Sequence, residues 1–423
     1  MVNGIFRVYR TLKGQLANNL EGAGPLIVTN ILMLMIGVGS IPVISRIYSP
    51  ESFGSFSLLI SVSSTVISVF NASIAFFIFS HPDPEKPSML WEPFKLAVKL
   101  SLFVGLGVGL FFYFAPSLGL QWDPILFCAP MLVMMSAVMI SVDFWTSAAA
   151  KKYTYIKSKL SQSFVSNIAK ILSGLANPTT WSLFFGHTIG LVTALAIYTK
   201  ELKKHQKQSK IKALSQDRKL AFFTKSTAIG VFNSISEEIL TLFIYFYYGP
   251  VLAGQYFLGK RILNLPSEVL ASAFSFVFTS KFTVNKSSKL KFRSQVLFRQ
   301  ILICAAAFSP IFLLLYFYSN QLFAAFLGEK WVEAGVIAGV LVIYYYFRSV
   351  AVSVKRVVFV SEALFFEFWW SFVRFVVSFL VVFWSIQNNV EAMQTFYVYG
   401  IAMAVVWGCY PLLLLVKTRG EPL

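Results

Sequence analysis

Eight ionisable residues interrupt otherwise apolar stretches of this chain: Asp143, Lys170, Glu237, Glu238, Arg261, Arg348, Glu367 and Arg374. Guanidinium groups grip phosphate and carboxylate through a planar fork, and an ammonium group supplies a point charge. Lys170, Arg261, Arg348 and Arg374 outnumber the acids if the vicinal Glu237 and Glu238 cannot both face one lumen. That excess suits an anionic ligand. Carboxylates at membrane depth have a further use, because they exchange a proton or hold Na⁺ and so couple movement to an ion gradient. Asp143, Glu237 and Glu238 are the candidates for that role. His187 titrates near neutral pH when unperturbed, although a lone histidine in an apolar helix more often hydrogen-bonds a neighbour.

Each of these residues also has a bland reading. Arg348 and Glu367 can snorkel toward a membrane surface, Glu237 and Glu238 can pair with Lys260 or Arg261, and Lys170 can cap a polar helix. A charge facing lipid costs at least about 2.5–3.5 kcal/mol. Taken together, the eight favour a polar lumen.

Motifs for covalent chemistry are absent: there is no G-x-S-x-G, no H-E-x-x-H and no Walker loop. No enzyme activity, metal or cofactor is expected. Cys128, Cys304 and Cys409 stand far apart in apolar stretches, without metal-ligand or disulfide spacing.

Composition supplies the elements that must hold these charges. Of 423 residues, 57% are hydrophobic, 17% aromatic and only 13% charged, and the mean hydropathy is +0.70. A soluble domain is nearer a quarter charged, so an all-α polytopic membrane protein is expected. At about 20 apolar residues per crossing, helices are placed near 23–45, 55–80, 95–115, 125–149, 160–177, 181–199, 222–247, 255–280, 297–318, 334–359, 364–386 and 393–416. The fifth is the weakest, since Ser161, Ser163, Ser166, Asn167 and Lys170 make it polar. Such a helix should face other helices or water.

The net charge of +18 comes from 36 basic against 18 acidic residues. The basic residues cluster in alternate connections, which points to membrane topology and anionic lipid rather than nucleic acid. Lys151, Lys152, Lys157 and Lys159 fall in one such connection, and the run from Lys200 to Lys225 in another. The opposite connections hold little beyond Arg46 and Lys330. Both termini are therefore expected in the cytoplasm. Residues 1–22 read as a basic interfacial segment, 23–199 as a first six-helix bundle, 200–221 as a basic linker, 222–416 as a second bundle and 417–423 as a tail.

The halves carry a repeat. Tyr48, Pro50, Gly54 and Phe56 follow the first helix, and Tyr248, Pro250, Gly254 and Tyr256 follow the seventh at an offset of 200. Six crossings per half give both halves one orientation, related by an axis along the membrane normal. Two pseudo-symmetric bundles around a central cavity are expected.

This repeated block, the helix number and the segment Phe326-Leu-Gly328-Glu329-Lys330-Trp331-Val-Glu-Ala334 resemble the polysaccharide flippases of the multidrug/oligosaccharidyl-lipid/polysaccharide exporter superfamily. Ser49 stands where the first block of that family usually has Gly. The resemblance implies an O-antigen-type or other oligosaccharide unit on an undecaprenyl pyrophosphate carrier, moved between leaflets of a bacterial inner membrane. It implies a cationic lumen of Arg46, Lys170, Arg261, Arg348 and Arg374, with Asp143, Glu237, Glu238 and His187 as ion-coupling candidates for H⁺ or Na⁺. Arg46 can instead anchor the first helix at the outer mouth. Polysaccharide assembly proteins are possible partners. Two rivals remain: a drug/cation antiporter of the same superfamily, for which an acid-rich lumen is expected, and a membrane polysaccharide polymerase, which needs larger exterior loops.

Overall fold

The computed structural model describes residues 29, 32–79, 87–118, 123–149, 151–205, 217–267, 290–360 and 364–420. The interfacial segment expected over residues 1–22 lies outside them, as do residues 206–216 of the basic linker. Among the described residues there is no strand.

Among the described residues twelve helices follow the expected order, with residues 23–28 of the expected first helix and 268–280 of the expected eighth lying outside them. The first half holds α1 (Leu32–Ile47), α2 (Pro50–Phe79), α3 (Trp91–Phe114), α4 (Ala129–Ala148), α5 (Lys152–Ala176) and α6 (Thr180–His205). The second holds α7 (Asp217–Phe243), α8 (Pro250–Pro266), α9 (Leu290–Leu327), α10 (Val332–Val360), α11 (Leu364–Gln387) and α12 (Ala392–Gly420). Eight stretches among the described residues are long and apolar enough to cross a membrane. The serine- and lysine-rich α5 is not one of them.

Packing repeats with the helix order. The α2–α4, α3–α4, α4–α6 and α5–α6 contacts of the first half recur as α8–α10, α9–α10, α10–α12 and α11–α12 in the second. The two bundles meet where α2 lies against α7 and α8. This is the pseudo-symmetric arrangement that the offset repeat implies.

Local chemistry sets the turns at the seam. The last turn of α7 widens into a π-helix over Ile244–Tyr248, and Gly249 then takes φ +99° before Pro250 opens α8. Only glycine adopts that backbone without strain. At the equivalent point of the first half Ser49 solves the problem differently: its Oγ accepts from the Ser52 N–H at 3.2 Å, capping α2 ahead of Pro50. The departure from the usual Gly is thus a helix cap.

Two helices are inverted relative to a soluble amphipathic helix. On α5 the buried residues are Ser158, Ser166, Asn167, Lys170 and Gly174, while Phe164, Ile168, Leu172 and Leu175 are exposed. On α11 Glu367, Ser371, Arg374, Ser378 and Ser385 are buried, and Phe365, Trp369, Phe379 and Phe383 are exposed. In lipid the apolar face turns outward and the polar stripe faces protein. These stripes position the charged site.

Candidate functional site

Lys170 projects from the polar stripe of α5 and is 7% exposed. Close approach of its neighbours holds it there. A Cβ on Gly174 would strike the Tyr48 ring, and one on Gly186 of α6 would strike Lys170 itself. The freed space lets the Tyr48 hydroxyl donate to the Lys170 carbonyl at 2.6 Å. The Lys170 ammonium lies 5.7 Å from the Phe56 ring centroid of α2, within range of a cation–π contact.

Arg261 of α8 reaches the same place from the other half. Together with Ile41, Ile44, Phe53, Phe56, Leu183 and Leu258, the two cations line a pocket of about 10 Å³. That volume holds about one water, so the chamber is nearly shut in this arrangement. Two like charges, one from each half, thus face one enclosure.

Beside the pocket, a polar chain runs from the seam into the second half. Ser61 of α2 donates to Glu238 of α7 at 2.8 Å, and Lys260 of α8 pairs with the same carboxylate at 3.0 Å. Lys260 also donates to the Glu237 carbonyl at 3.0 Å. The Glu237 side chain pairs with Arg348 of α10 at 3.1 Å, and Arg348 donates to Asn264 of α8. Both vicinal glutamates therefore face protein, each with its own cation.

Arg374 is 1% exposed. It donates to Asn233 of α7 and lies 4.6 Å from the Trp407 ring centroid of α12. Nearby, the fully buried Glu367 pairs with Lys355 at 2.6 Å and accepts from the Tyr410 hydroxyl at 3.0 Å. Neither Arg348 nor Glu367 simply snorkels to a surface.

The cations expected to line a lumen lie in two groups. Lys170 and Arg261 meet at the seam, whereas Arg348 and Arg374 lie within the second bundle. Arg46 joins neither group: it is exposed at the end of α1 and donates to the Ala325 carbonyl at 3.3 Å. It anchors α1 to the end of α9. Asp143 sits inside the first bundle, paired with Lys159 at 2.5 Å and accepting from Tyr198 at 2.6 Å. His187 faces the Phe56 ring at 6.1 Å between centroids and lies within electrostatic reach of Lys170 and Arg261.

Sequence reasoning missed Asn233, Asn264, Ser61, Lys355 and Trp407 as members of this network. Uncharged or terminal positions give no signal in one sequence. The polar stripe of α11 was the one legible hint, because Glu367, Ser371, Arg374 and Ser378 recur at helical spacing.

The end of the molecule away from the basic connections is closed by bonds between the halves. Trp331 donates to the Ser45 carbonyl at 2.8 Å, Lys330 to the Arg46 carbonyl at 2.9 Å, and Tyr245 to Asp123 at 3.0 Å. Gln255 ties Lys330 and Ala334 to α8.

Comparison with known proteins agrees with this architecture. Residues 43–336 match the family model described as polysaccharide biosynthesis protein, and the chain belongs to that family. Its fold is similar to those of solved transporters at low identity. The lipid II flippase MurJ in an inward closed conformation superposes with a TM-score of 0.64 at 16% identity, covering 95% of this chain and 90% of that one. An inward-facing multidrug resistance MATE family transporter gives 0.58 at 11% identity, covering 93% and 95%. A MOP superfamily transporter from Pyrococcus furiosus, described as having a binding pocket of reverse polarity, gives 0.57 at 10% identity, covering 95% and 96%. No curated protein matches the chain.

Proposed function

We propose that this protein is a flippase that moves an undecaprenyl-pyrophosphate-linked oligosaccharide, an O-antigen or other surface-polysaccharide repeat unit, across the bacterial inner membrane by alternating access. The observation that carries this reading is the facing of Lys170 and Arg261 across the seam between the bundles. A pyrophosphate and sugar headgroup cannot shed its water in hydrocarbon without a prohibitive cost. Cations from both halves replace that water while the lipid tail remains in the bilayer. No bond is made or broken, so the protein acts as a carrier rather than as an enzyme.

Membership of the polysaccharide biosynthesis family and the flippase activity named for MurJ support this substrate class. In this reading the basic connections and both termini face the cytoplasm, and residues 23–199 and 222–416 rock as two units joined by the linker 200–221. Arg348 and Arg374 extend the positive lining into the second bundle. Movement is coupled to H⁺ or Na⁺, and among Asp143, Glu237, Glu238 and His187 the strongest candidate is Glu238, whose partners come from both halves.

A leaflet-resolved assay of the lipid-linked sugar tests the proposal. K170A and R374A are expected to abolish its appearance in the outer leaflet. Export that persists at normal expression in both variants overturns the cationic lumen. Short units accumulating already in the outer leaflet of a deletion strain would instead identify a polymerase.

A further inference from the structure

Among the described residues, four buried N–H groups in the second bundle have no acceptor: Nε of Arg348, Nε of Arg374 and the indole Nε1 of Trp370 and Trp407. They form one cluster. The guanidinium carbons of Arg374 and Arg348 lie 4.6 and 5.9 Å from the Trp407 ring centroid. Trp370 and Trp407 both pack against Tyr410, at 5.3 and 6.1 Å between centroids. Trp370, Arg374 and Trp407 are 7%, 1% and 2% exposed.

Buried donors without partners are rare, because each gives up hydration for nothing. A single one is tolerated, but two guanidinium Nε groups beside one indole, with a second indole beyond Tyr410, mark a missing acceptor among the described residues. The charges agree. Among the described residues the cluster holds the cations Arg348, Lys355 and Arg374 against the carboxylates Glu237 and Glu367, an excess of one positive charge. Both carboxylates are already engaged, Glu237 by Arg348 and Glu367 by Lys355 and Tyr410. Among the described residues, what the cluster lacks is one more negative charge carried on oxygens.

We infer that Arg348, Arg374, Trp370 and Trp407 form a second anion subsite, separate from the Lys170–Arg261 pocket, that takes a singly charged oxyanion. Two chemical groups fit, a carboxylate borne by an acidic sugar and a phosphodiester, since each spreads one charge over acceptor oxygens. The source of the group rests on the proposed carriage of a lipid-linked sugar; the site itself does not. In the present arrangement the Trp407 ring fills the space beside both guanidinium groups, so the anion enters as the indole moves off Arg374.

Calorimetric titration of the full-length chain in detergent, with sodium glucuronate, dimethyl phosphate and neutral glucose as probes, tests the inference. At least one anion should bind where glucose does not, and R374Q and W407F should each weaken it by about tenfold or more. K170Q should leave in place the component of that binding that R374Q and W407F remove. W407F keeps an aromatic face and removes the donor, so it remains informative if R374Q fails to fold. Binding of glucuronate alone assigns the subsite to a sugar acid, of dimethyl phosphate alone to the carrier, and of both to charge regardless of source. The inference is overturned if neither anion binds better than glucose, or if K170Q abolishes binding while R374Q and W407F do not. A chain that binds anions here yet moves no lipid-linked sugar would sink the flippase reading and leave the subsite standing.

Discussion

Gly54 of α2 rests on the carbonyl of Pro250 in α8, and Gly254 of α8 rests on the carbonyl of Pro50 in α2. The contact is reciprocal, as a two-fold axis passing between the helices requires. The repeated Pro-x-x-x-Gly block is therefore the place where the halves touch backbone to backbone. Any rocking of one bundle on the other must pivot at this contact or part it.

A methyl group at Gly54 has nowhere to go, since it would overlap the Pro250 carbonyl. G54A should cost about 1–3 kcal/mol and lower the thermal unfolding midpoint of the purified protein. Gly37 has open space around the same position, so G37A serves as the matched control. Equal midpoints for the two variants would refute the close contact.

Arg348 and Glu237 form a partly buried pair, and removal of one partner strands the other charge. R348Q and E237Q should each destabilise by about 1–3 kcal/mol, with the double variant well short of the sum. Additive losses in denaturant titrations would mean that the two side chains do not interact.

The hydrogen bond between Tyr245 and Asp123 holds the two halves together at the closed end. D123C with Y245C, joined by a short bis-thiol linker, should block export and recover it on reduction. Unchanged export by the linked protein would exclude opening at this end.

Asp143 and Glu238 should separate in function. D143N loses the Lys159 pair within the first bundle, and is expected to cost about 1–3 kcal/mol while leaving the dependence of transport on Na⁺ or pH intact. E238Q, altered at the seam, should remove that dependence. The reverse assignment would follow if D143N alone abolished it in vesicles.

The seam illustrates how much a linear pattern conveys. The offset between Pro50 and Pro250 announced two matching halves, because a tight turn and close helix approach each demand particular residues. Ser49 shows the limit: it stands out as a missing glycine, but its role as a cap depends on the position of the Ser52 N–H. Likewise Arg46 and Lys170 look alike in an apolar string. One anchors an exposed helix end and the other is buried against Phe56.

The amino-acid order by itself determined the membrane class, the twelve helices, the repeat and the presence of costly charges at depth. These follow from local hydropathy and turn chemistry, which act over a few residues. Only the tertiary structure decided that Lys170 meets Arg261 at the seam while Arg348 and Arg374 gather around Trp407. Those partnerships join helices far apart in the chain, and rotation of one helix about its axis by a single residue turns a side chain by roughly 100°. Packing between helices, which no local pattern encodes, fixes that rotation.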